Sequence, residues 1–317
     1  MNRPTLICVV GPTAIGKTAL GIKLAQEFNA DIISADSRQI YRHMAIGTAA
    51  PTEEEKAQAK HHFVEFLHPS EIYSAGDFEK DAIPFLEDYF KDSTSESSKV
   101  AILVGGSGLY VKGVVEGFDN LPRDLALRKT LNQRLESEGL PALQAELKAL
   151  DPEHYSKMDT SNPQRVVRAI EVTLFTGKPF SEFHSKTSQQ TENTSARPFD
   201  IIQIGLEAPR EIINKRIEMR TQLMLDAGWL EETRALLPLR HHNSLNTIGY
   251  KELFAHLDGE MTLEQAKERI IISTRQFAKR QMTWFKKDPT ITWFDFFEAK
   301  DGAHKILAHI HKFADHA

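Results

Sequence analysis

The chain has 317 residues, 41% of them hydrophobic and 26% charged, with a formal net charge of −5. This is the composition of a folded protein of one large or two medium domains; it excludes a disordered or globally basic chain, so any nucleic acid must be met by local patches. The single cysteine, Cys8, excludes an internal disulfide and a Cys-based zinc site and points to a reducing, cytoplasmic setting.

Arg3 precedes the apolar run Leu6-Ile7-Cys8-Val9-Val10. The run is too short for a signal-peptide core or a membrane span and reads as a buried strand, with Cys8 an apolar filler. Next comes Gly11-Pro12-Thr13-Ala14-Ile15-Gly16-Lys17-Thr18, which fits the phosphate-loop pattern G-x-x-x-x-G-K-[ST]. Leu20 and Leu24 then share a helical face, so the loop joins a strand to a helix N-terminus. Unpaired backbone N–H groups and the positive end of the helix dipole converge there, Lys17 adds a full charge, and the Thr18 hydroxyl is available to magnesium. A plain glycine-containing turn does not account for Lys17 and Thr18 together. Kinases, NTPases and some transferases all share this ATP- and nucleotide-binding loop.

Ile32-Ile33 with Ala35 reads as a second parallel strand, and Asp36-Ser37-Arg38-Gln39 follows its C-terminal end. Ligands of open α/β sheets bind at that edge, so Asp36 is expected to share a crevice with the phosphate loop; the alternative is an Asp that caps the next turn. Residues 40–52 read as a loop and 53–60 as a helix. His61 and His62 are adjacent, and no third ligand lies at a familiar spacing, so they read as structural rather than metal-binding. Residues 74–91 form an amphipathic helix with Phe78, Ala82, Phe85, Leu86 and Tyr89 on its apolar side. A Ser-rich loop spans 93–98, and Val100–Val104 is a buried strand running into Gly105-Gly106-Ser107-Gly108. Those glycines admit either a ligand or a simple β-to-α turn.

Between 121 and 195 the strand signal disappears. Helices are expected over 123–138, 141–150 and from Asn162-Pro163-Gln164-Arg165 to Phe175, the last with an Asn cap and Pro at its first position. Gln164, Arg165 and Arg168 lie on one side, with Val167, Ile170 and Leu174 on the other. Residues 185–197 read as polar and structureless. The α/β pattern returns with a strand over 200–206, a helix over 209–227 carrying Arg216 and Arg220, a helix over 230–240, a polar turn over 246–251 before a further helix, and a long helix over 262–287. In that last helix Ile270, Thr274, Phe277, Gln281 and Trp284 form a stripe. Arg275, Lys279, Arg280, Lys286 and Lys287 stand without an intervening acid, either as a solvated face or as phosphate-backbone contacts. The expected fold class is α/β: a P-loop NTPase-like parallel sheet with flanking helices (residues 1–120 and 196–317) and a helical insertion domain (121–195).

With these segments in hand the chain resembles the bacterial tRNA dimethylallyltransferases (tRNA isopentenyltransferases) along essentially its whole length. The carriers are Gly11–Thr18, Asp36-Ser37, Ile46-Gly47-Thr48-Ala49, Val104-Gly105-Gly106, Asn162-Pro163-Gln164-Arg165, Gly249-Tyr250, Thr274-Arg275-Gln276 and the run Ala278–Trp284. The resemblance implies transfer of the dimethylallyl group of dimethylallyl diphosphate to the exocyclic amine of the adenosine 3′ of the anticodon, by a cytoplasmic enzyme expected to be a monomer. It implies that Gly11, Pro12, Thr13, Ala14, Ile15, Gly16, Lys17 and Thr18 cradle the diphosphate, that Thr18 holds magnesium, that Arg220 lies near the diphosphate and that Asp36 is the general base.

It further implies tRNA contacts from Asp36, Ser37, Arg38, Gln39, Ser107 and Arg128, and from Gln164, Arg165, Val166, Val167 and Arg168. More come from Asn246, Thr247, Ile248, Gly249, Tyr250 and Lys251, and from Lys279, Arg280, Gln281, Met282, Thr283, Trp284, Phe285 and Lys286. In that pattern Ala50 stands where the family usually has Lys, and Ser107 where it more often has Thr. The zinc finger of eukaryotic relatives is excluded by the lone cysteine. Rival readings are a prenyltransferase acting on free adenine nucleotide, a small-molecule P-loop kinase and an RNA-binding protein with a dead loop. The first two leave the 164–168 and 275–287 segments without a purpose; the third leaves Lys17, Thr18 and Asp36 without one.

Overall fold

The computed structural model describes residues 3–91, 99–118, 121, 123–187, 197–295 and 302–316. The Ser-rich stretch 93–98 and residues 188–196 of the polar stretch lie outside the described residues. Six strands, β1 (Thr5–Val10), β2 (Ile32–Ser34), β3 (His61–His62), β4 (Val100–Val104), β5 (Asp200–Glu207) and β6 (Thr292–Asp295), form one sheet. Its order is β3-β2-β4-β1-β5-β6 and every neighbouring pair is parallel.

A parallel sheet needs both faces covered, and alternation along β1 supplies each face with apolar side chains. Ile7 and Val9 pack with Leu20 and Leu24 of the Lys17–Phe28 helix, Ile213 and Ile217 of the Arg210–Asp226 helix, and Ile306 and Ile310 of the Gly302–His316 helix. Leu6, Cys8 and Val10 pack on the other face with Phe78, Ala82 and Leu86 of the Ala75–Lys91 helix, Val111 and Val114 of the Gly108–Val115 helix, and Phe285. Burial raises the Cys8 thiol pKa far above its ordinary value, which makes this cysteine the inert filler expected.

A third apolar cluster joins Ile40 and Met44 to Trp229, Tyr250, Leu253 and Ile270. It seats a short helix, Ala45–Thr48, inside the segment expected to be loop. The Glu232 carboxylate accepts the Ile46 and Gly47 N–H groups at 2.8 and 2.9 Å and the Tyr250 hydroxyl at 2.6 Å. A Cβ on Gly47 would overlap the Trp229 and Tyr250 rings, so glycine is required by this close approach.

The chain divides into two compact units, Met1–Val115 with Arg197–Ala317, and Glu116–Ala196. Among the described residues the regular structure of the second is helical: Leu125–Glu138, Leu140–Leu150, Pro152–Lys157, Pro163–Thr176 and Phe180–Thr187. Its core gathers Leu131, Leu143, Leu147, Val166, Val167, Ile170 and Val172. The Asn162 Oδ1 accepts the Gln164 and Arg165 N–H groups at 3.1 and 3.3 Å, the cap expected from Asn-Pro. Glu171 lies fully buried in the middle of that helix. Its carboxylate takes Arg128 Nε at 2.8 Å and Nη2 at 2.5 Å, Arg168 Nη1 at 3.1 Å and the Asp124 N–H at 3.0 Å.

Several expectations change. Leu174 is 43% exposed, so the buried face of its helix is Val166, Val167, Ala169, Ile170 and Val172. The 185–187 end of the polar stretch is helical, and the 230–240 helix ends at Ala235 before a 3-10 turn over Leu237–Leu239. Tyr250 and Lys251 begin the Tyr250–Leu257 helix rather than ending a turn. The strands β3 and β6 are short and were not read beforehand; neither was the Gly302–His316 helix, although Ile306, Leu307, Ile310 and Phe313 recur at helical spacing.

Removing one partner of a buried, hydrogen-bonded charge network costs about 3–5 kcal/mol. The Glu171→Ala variant should therefore lose hydrogen-exchange protection across 125–176 while β1, β4 and β5 stay protected. Uniform loss across the chain would contradict two separately cored units.

Candidate active site

Three adjacent strands, β2, β4 and β1, deliver three loops to the same edge of the sheet: Asp36–Gln39, Gly105–Ser107 and Gly11–Thr18. Their backbones are tied to one another. Ala35 N donates to Val104 O at 2.8 Å, Gly105 N to Val9 O at 3.2 Å and Ser107 N to Ala35 O at 3.3 Å. A Cβ on Gly105 would overlap the Ala35 carbonyl, so at this position the glycine serves backbone approach.

Gly11 and Gly16 have φ of 145° and 109°, conformations open to glycine, and they let the loop wrap around the start of the Lys17–Phe28 helix. Lys17 Nζ donates back to Gly11 O at 3.0 Å and Pro12 O at 2.9 Å. Arg220 Nη2 donates to Thr13 Oγ1 at 2.6 Å, and Arg216 Nε to Ala14 O at 2.6 Å. Arg216 was visible one turn before Arg220 but its place against the loop was not. Burial pulls the Lys17 pKa down to about 8, opposed by the Asp36 carboxylate and reinforced by Arg220. Burial also lowers the pKa of Arg220, with Asp36 working against it.

Asp36 is half-buried, and its Oδ1 accepts the Arg38 and Gln39 N–H groups at 2.9 and 3.4 Å. It thus caps the turn and faces the crevice at once, and the two readings of Asp36 do not compete. Ser107 Oγ accepts the Ser37 N–H at 2.9 Å and donates to Ser37 Oγ at 3.2 Å, which brings two expected site residues together. Arg38 and Gln39 turn to the protein instead. Arg38 Nη1 donates to Asn243 O and Ser244 O at 3.0 and 3.2 Å. Gln39 accepts the Ser34 hydroxyl at 3.0 Å and donates to Ala49 O at 2.8 Å, fastening the end of the short helix.

Beside the loop lies a small cavity of about 20 Å³ lined by Thr18, Ile32, Ser34, Gln39, Pro51, His61 and Val104. His61 Nδ1 lies 2.8 Å from Ala59 O, and Nε2 is buried without a hydrogen-bond partner. His62 Nε2 pairs with Asp31 Oδ2 at 2.7 Å. Among the described residues no group of three or more His, Cys, Asp or Glu side chains could hold a metal ion. Oxygen donors are what magnesium takes, and it retains several waters and phosphate oxygens. The Thr18 hydroxyl is an oxygen donor of this kind, and a single such donor fits an ion held mainly by phosphate oxygens and water.

The other expected RNA-contact residues separate by burial. Gln164 and Arg165 are exposed, Arg128 and Arg168 are half-buried on Glu171, and Val166 and Val167 are core residues with no side chain to offer a ligand. Asn246 is exposed, Thr247, Ile248 and Met282 are half-buried, and Lys251 is exposed. Gly249 is closed off by the Trp229 ring and Tyr250 is buried on Glu232, so both are structural. Lys279, Arg280, Thr283, Trp284 and Lys286 are exposed, whereas Gln281 and Phe285 face inward. The buried stripe of this helix is Ala266, Ile270, Thr274, Ala278, Gln281 and Phe285, displaced from the expected one because Phe277 and Trp284 lie 36% and 40% exposed. Glu171 and Glu232 were missed. The i,i+3 spacing of Arg168 and Glu171 was the available signal for the first, and nothing local marked the second.

A parallel sheet in this order, with a glycine-lysine-threonine loop at the C-terminal end of its central strand, defines a P-loop NTPase-like α/β protein. The family model described as IPP transferase matches residues 39–288. The tRNA dimethylallyltransferase of Christiangramia forsetii is 50% identical over 294 residues, 92% of this chain and 94% of that protein. Phocaeicola vulgatus tRNA dimethylallyltransferase 1 is 43% identical over 308 residues, 97% and 98% of the two chains. Among solved structures, the tRNA isopentenylpyrophosphate transferase of Bacillus halodurans is 33% identical with a TM-score of 0.69, covering 99% of this chain and 96% of that one. A eukaryotic dimethylallyltransferase acting on tRNA is 26% identical with a TM-score of 0.82, covering 98% of this chain and 80% of that one. The chain belongs to the tRNA dimethylallyltransferase family of IPP transferases. No helix among the described residues is long and apolar enough to cross a membrane.

The Lys17 shift has a sign that can be tested. Free Lys17 sheds its proton as pH rises through about 8, and a bound diphosphate restores it. Inorganic diphosphate binding between pH 8 and 9.5 should therefore take up a proton, measured by calorimetry in buffers of different ionisation enthalpy, and Lys17→Met should abolish that uptake. Equal uptake in the variant would assign the proton elsewhere.

Proposed function

We infer that the protein transfers the dimethylallyl group of dimethylallyl diphosphate to the exocyclic amine of the adenosine 3′ of the anticodon in tRNA, in the cytoplasm, as a monomer. The observation that carries this reading is one crevice in which a family member's phosphate loop, two arginines and an oriented carboxylate meet. The allylic C–O bond breaks, a C–N bond forms, and diphosphate leaves with the bonding electrons. Loop amides, Lys17 and Arg220 stabilise the charge that develops on the leaving oxygen. Thr18 would hold magnesium together with the donor's phosphate oxygens, and the bound ion supplies further neutralisation of the leaving group.

The adenine amine is a weak nucleophile because its lone pair is delocalised into the ring. Asp36 accepts its proton as the C–N bond forms. Hydrogen bonds from the Arg38 and Gln39 amides fix Oδ1, so the carboxylate is oriented before the base arrives. The target base has to be splayed from the anticodon stack to reach it. RNA-backbone contacts come from the exposed cations Lys279 and Arg280 and from Arg165 in the helical unit, whereas Lys286 pairs with Glu207 at 2.6 Å and lies over the Trp293 ring. A free adenine nucleotide as acceptor, or a kinase reaction, would leave those side chains without a role.

Labelled dimethylallyl diphosphate is offered with unmodified tRNA, AMP and ATP in parallel. Label is expected on the adenosine 3′ of the anticodon; label on AMP or ATP alone would refute the tRNA reading. Because Asp36 also caps its turn, Asp36→Asn keeps an acceptor for the two amides and removes only the base. It should lower turnover by about 10²–10⁴ with little change in stability. Turnover at the wild-type level would take the base role away from Asp36. Arg165→Ala should reduce the dependence of log affinity for the anticodon stem-loop on log salt by about one phosphate contact. An unaltered slope would remove Arg165 from the interface.

A further inference from the structure

The Leu263–Phe285 helix presents Lys279, Arg280, Thr283 and Trp284 to solvent, but Gln281, in the same run, turns the other way and is 6% exposed. Its Oε1 accepts the Thr13 N–H at 2.8 Å and its Nε2 donates to Gly106 O at 2.9 Å. These partners are backbone atoms of two of the three crevice loops. A Cβ on Gly106 would overlap Nε2, so the missing side chain at 106 is what admits the amide. One turn on, the Trp284 ring fills the space that a Cβ on Gly108 would need.

We propose that Gln281 is a positioning residue of the donor site and not an RNA contact: its carboxamide ties the phosphate loop to the Gly105–Ser107 loop and so sets the geometry of the diphosphate cradle. This rests on the reading of Gly11–Thr18 as the diphosphate loop. Thr13 is the residue through which it acts. Gln281 holds the Thr13 N–H, and Arg220 holds the Thr13 hydroxyl at 2.6 Å, so the entry of the loop and the arginine beside it share one anchor. A carboxamide of this length both accepts from an N–H and donates to a carbonyl without needing a proton from solution. Removing it strands two backbone groups, one of them inside a loop whose amides must converge on phosphate. An RNA-contact role predicts weaker RNA binding on substitution; a cradle role predicts a defect in donor use.

The test compares Gln281→Met, which keeps the length and loses both hydrogen bonds, with Gln281→Glu. Steady-state kinetics with dimethylallyl diphosphate and tRNA are read beside equilibrium binding of the anticodon stem-loop without donor. Gln281→Met is expected to lower kcat/KM for the donor by about 10–100-fold, the scale of a small misplacement in a reactive site, with stem-loop Kd within about twofold of wild type. Gln281→Glu keeps the acceptor for Thr13 but sets a carboxylate against Gly106 O. Its donor kcat/KM, taken relative to wild type at each pH, should recover as pH falls from 8 to 6 and the carboxyl gains the proton it needs to donate. A purely structural loss has no such recovery. Stem-loop Kd weakened as much as donor kcat/KM, or a pH-independent Gln281→Glu defect, would overturn the proposal. Lys17→Met is run alongside. If it leaves donor KM unchanged, the diphosphate reading falls and this proposal with it. If it raises donor KM while Gln281→Met has no effect, the proposal alone is lost.

Discussion

The crevice depends on a cation held against its own loop. Lys17 lies partly buried with its ammonium on the carbonyls of Gly11 and Pro12, and burial already draws its pKa down to about 8. Arg216 and Arg220 hold Ala14 O and Thr13 Oγ1, neutral oxygens of the same loop. Lys17 and Arg220 are desolvated cations hydrogen-bonded to neutral oxygens, with the Asp36 carboxylate acting on both; an arriving diphosphate replaces a carbonyl or hydroxyl with an anion, and charge-assisted hydrogen bonds are about twice as strong as neutral ones. Burial of these cations is offset only in part by Asp36, which leaves the loop prepared for a further anion. The six buried residues of β1 fix where the loop begins.

The same constraint explains what could be read in the sequence. The phosphate loop, β1, β2, β4 and β5 were legible because each combines a local pattern with a local cause: a glycine where the chain must turn, an apolar run where the sheet covers both faces. The cap at Asn162 was legible for the same reason. The side-chain orientations that decide function were not. Gln281 and Trp284 are three apart on one helix, and a stripe drawn through both assigns them one environment. In the structure one is buried between two loops and the other is 40% exposed. The difference arises from Gly106 and Gly108, residues about 175 positions away that make room for a carboxamide and an indole. No window of sequence contains that information.

A similar argument applies to the residues that carried the family resemblance. Gly249 and Tyr250 were placed on the tRNA by the resemblance that Gly47 also carried, yet here all three close a cluster around Trp229 and Glu232. Glu232 has one carboxylate and three donors, two from the Ala45–Thr48 helix start and one from Tyr250. Gln39 then holds the other end of that helix at Ala49 O. The recognisable order therefore records how the segment after Asp36 is fastened, and Asp36 is only three residues from Gln39.

That fastening bears on the reaction. A carboxylate that must take a proton from a weakly nucleophilic amine has to present one oxygen at hydrogen-bond distance while the allylic carbon approaches from the donor side. A freely rotating Asp would lose time and entropy finding that orientation. Here Oδ1 is fixed by the Arg38 and Gln39 amides, Gln39 is fixed to Ser34 and Ala49, and Arg38 is fixed to the Asn243 and Ser244 carbonyls. Arg38 and Gln39, which the family resemblance placed on the tRNA, thus also hold the Asp36 carboxylate through their backbone N–H groups. Their substitution should register in the orientation of Asp36, and so in turnover, before it registers in RNA affinity.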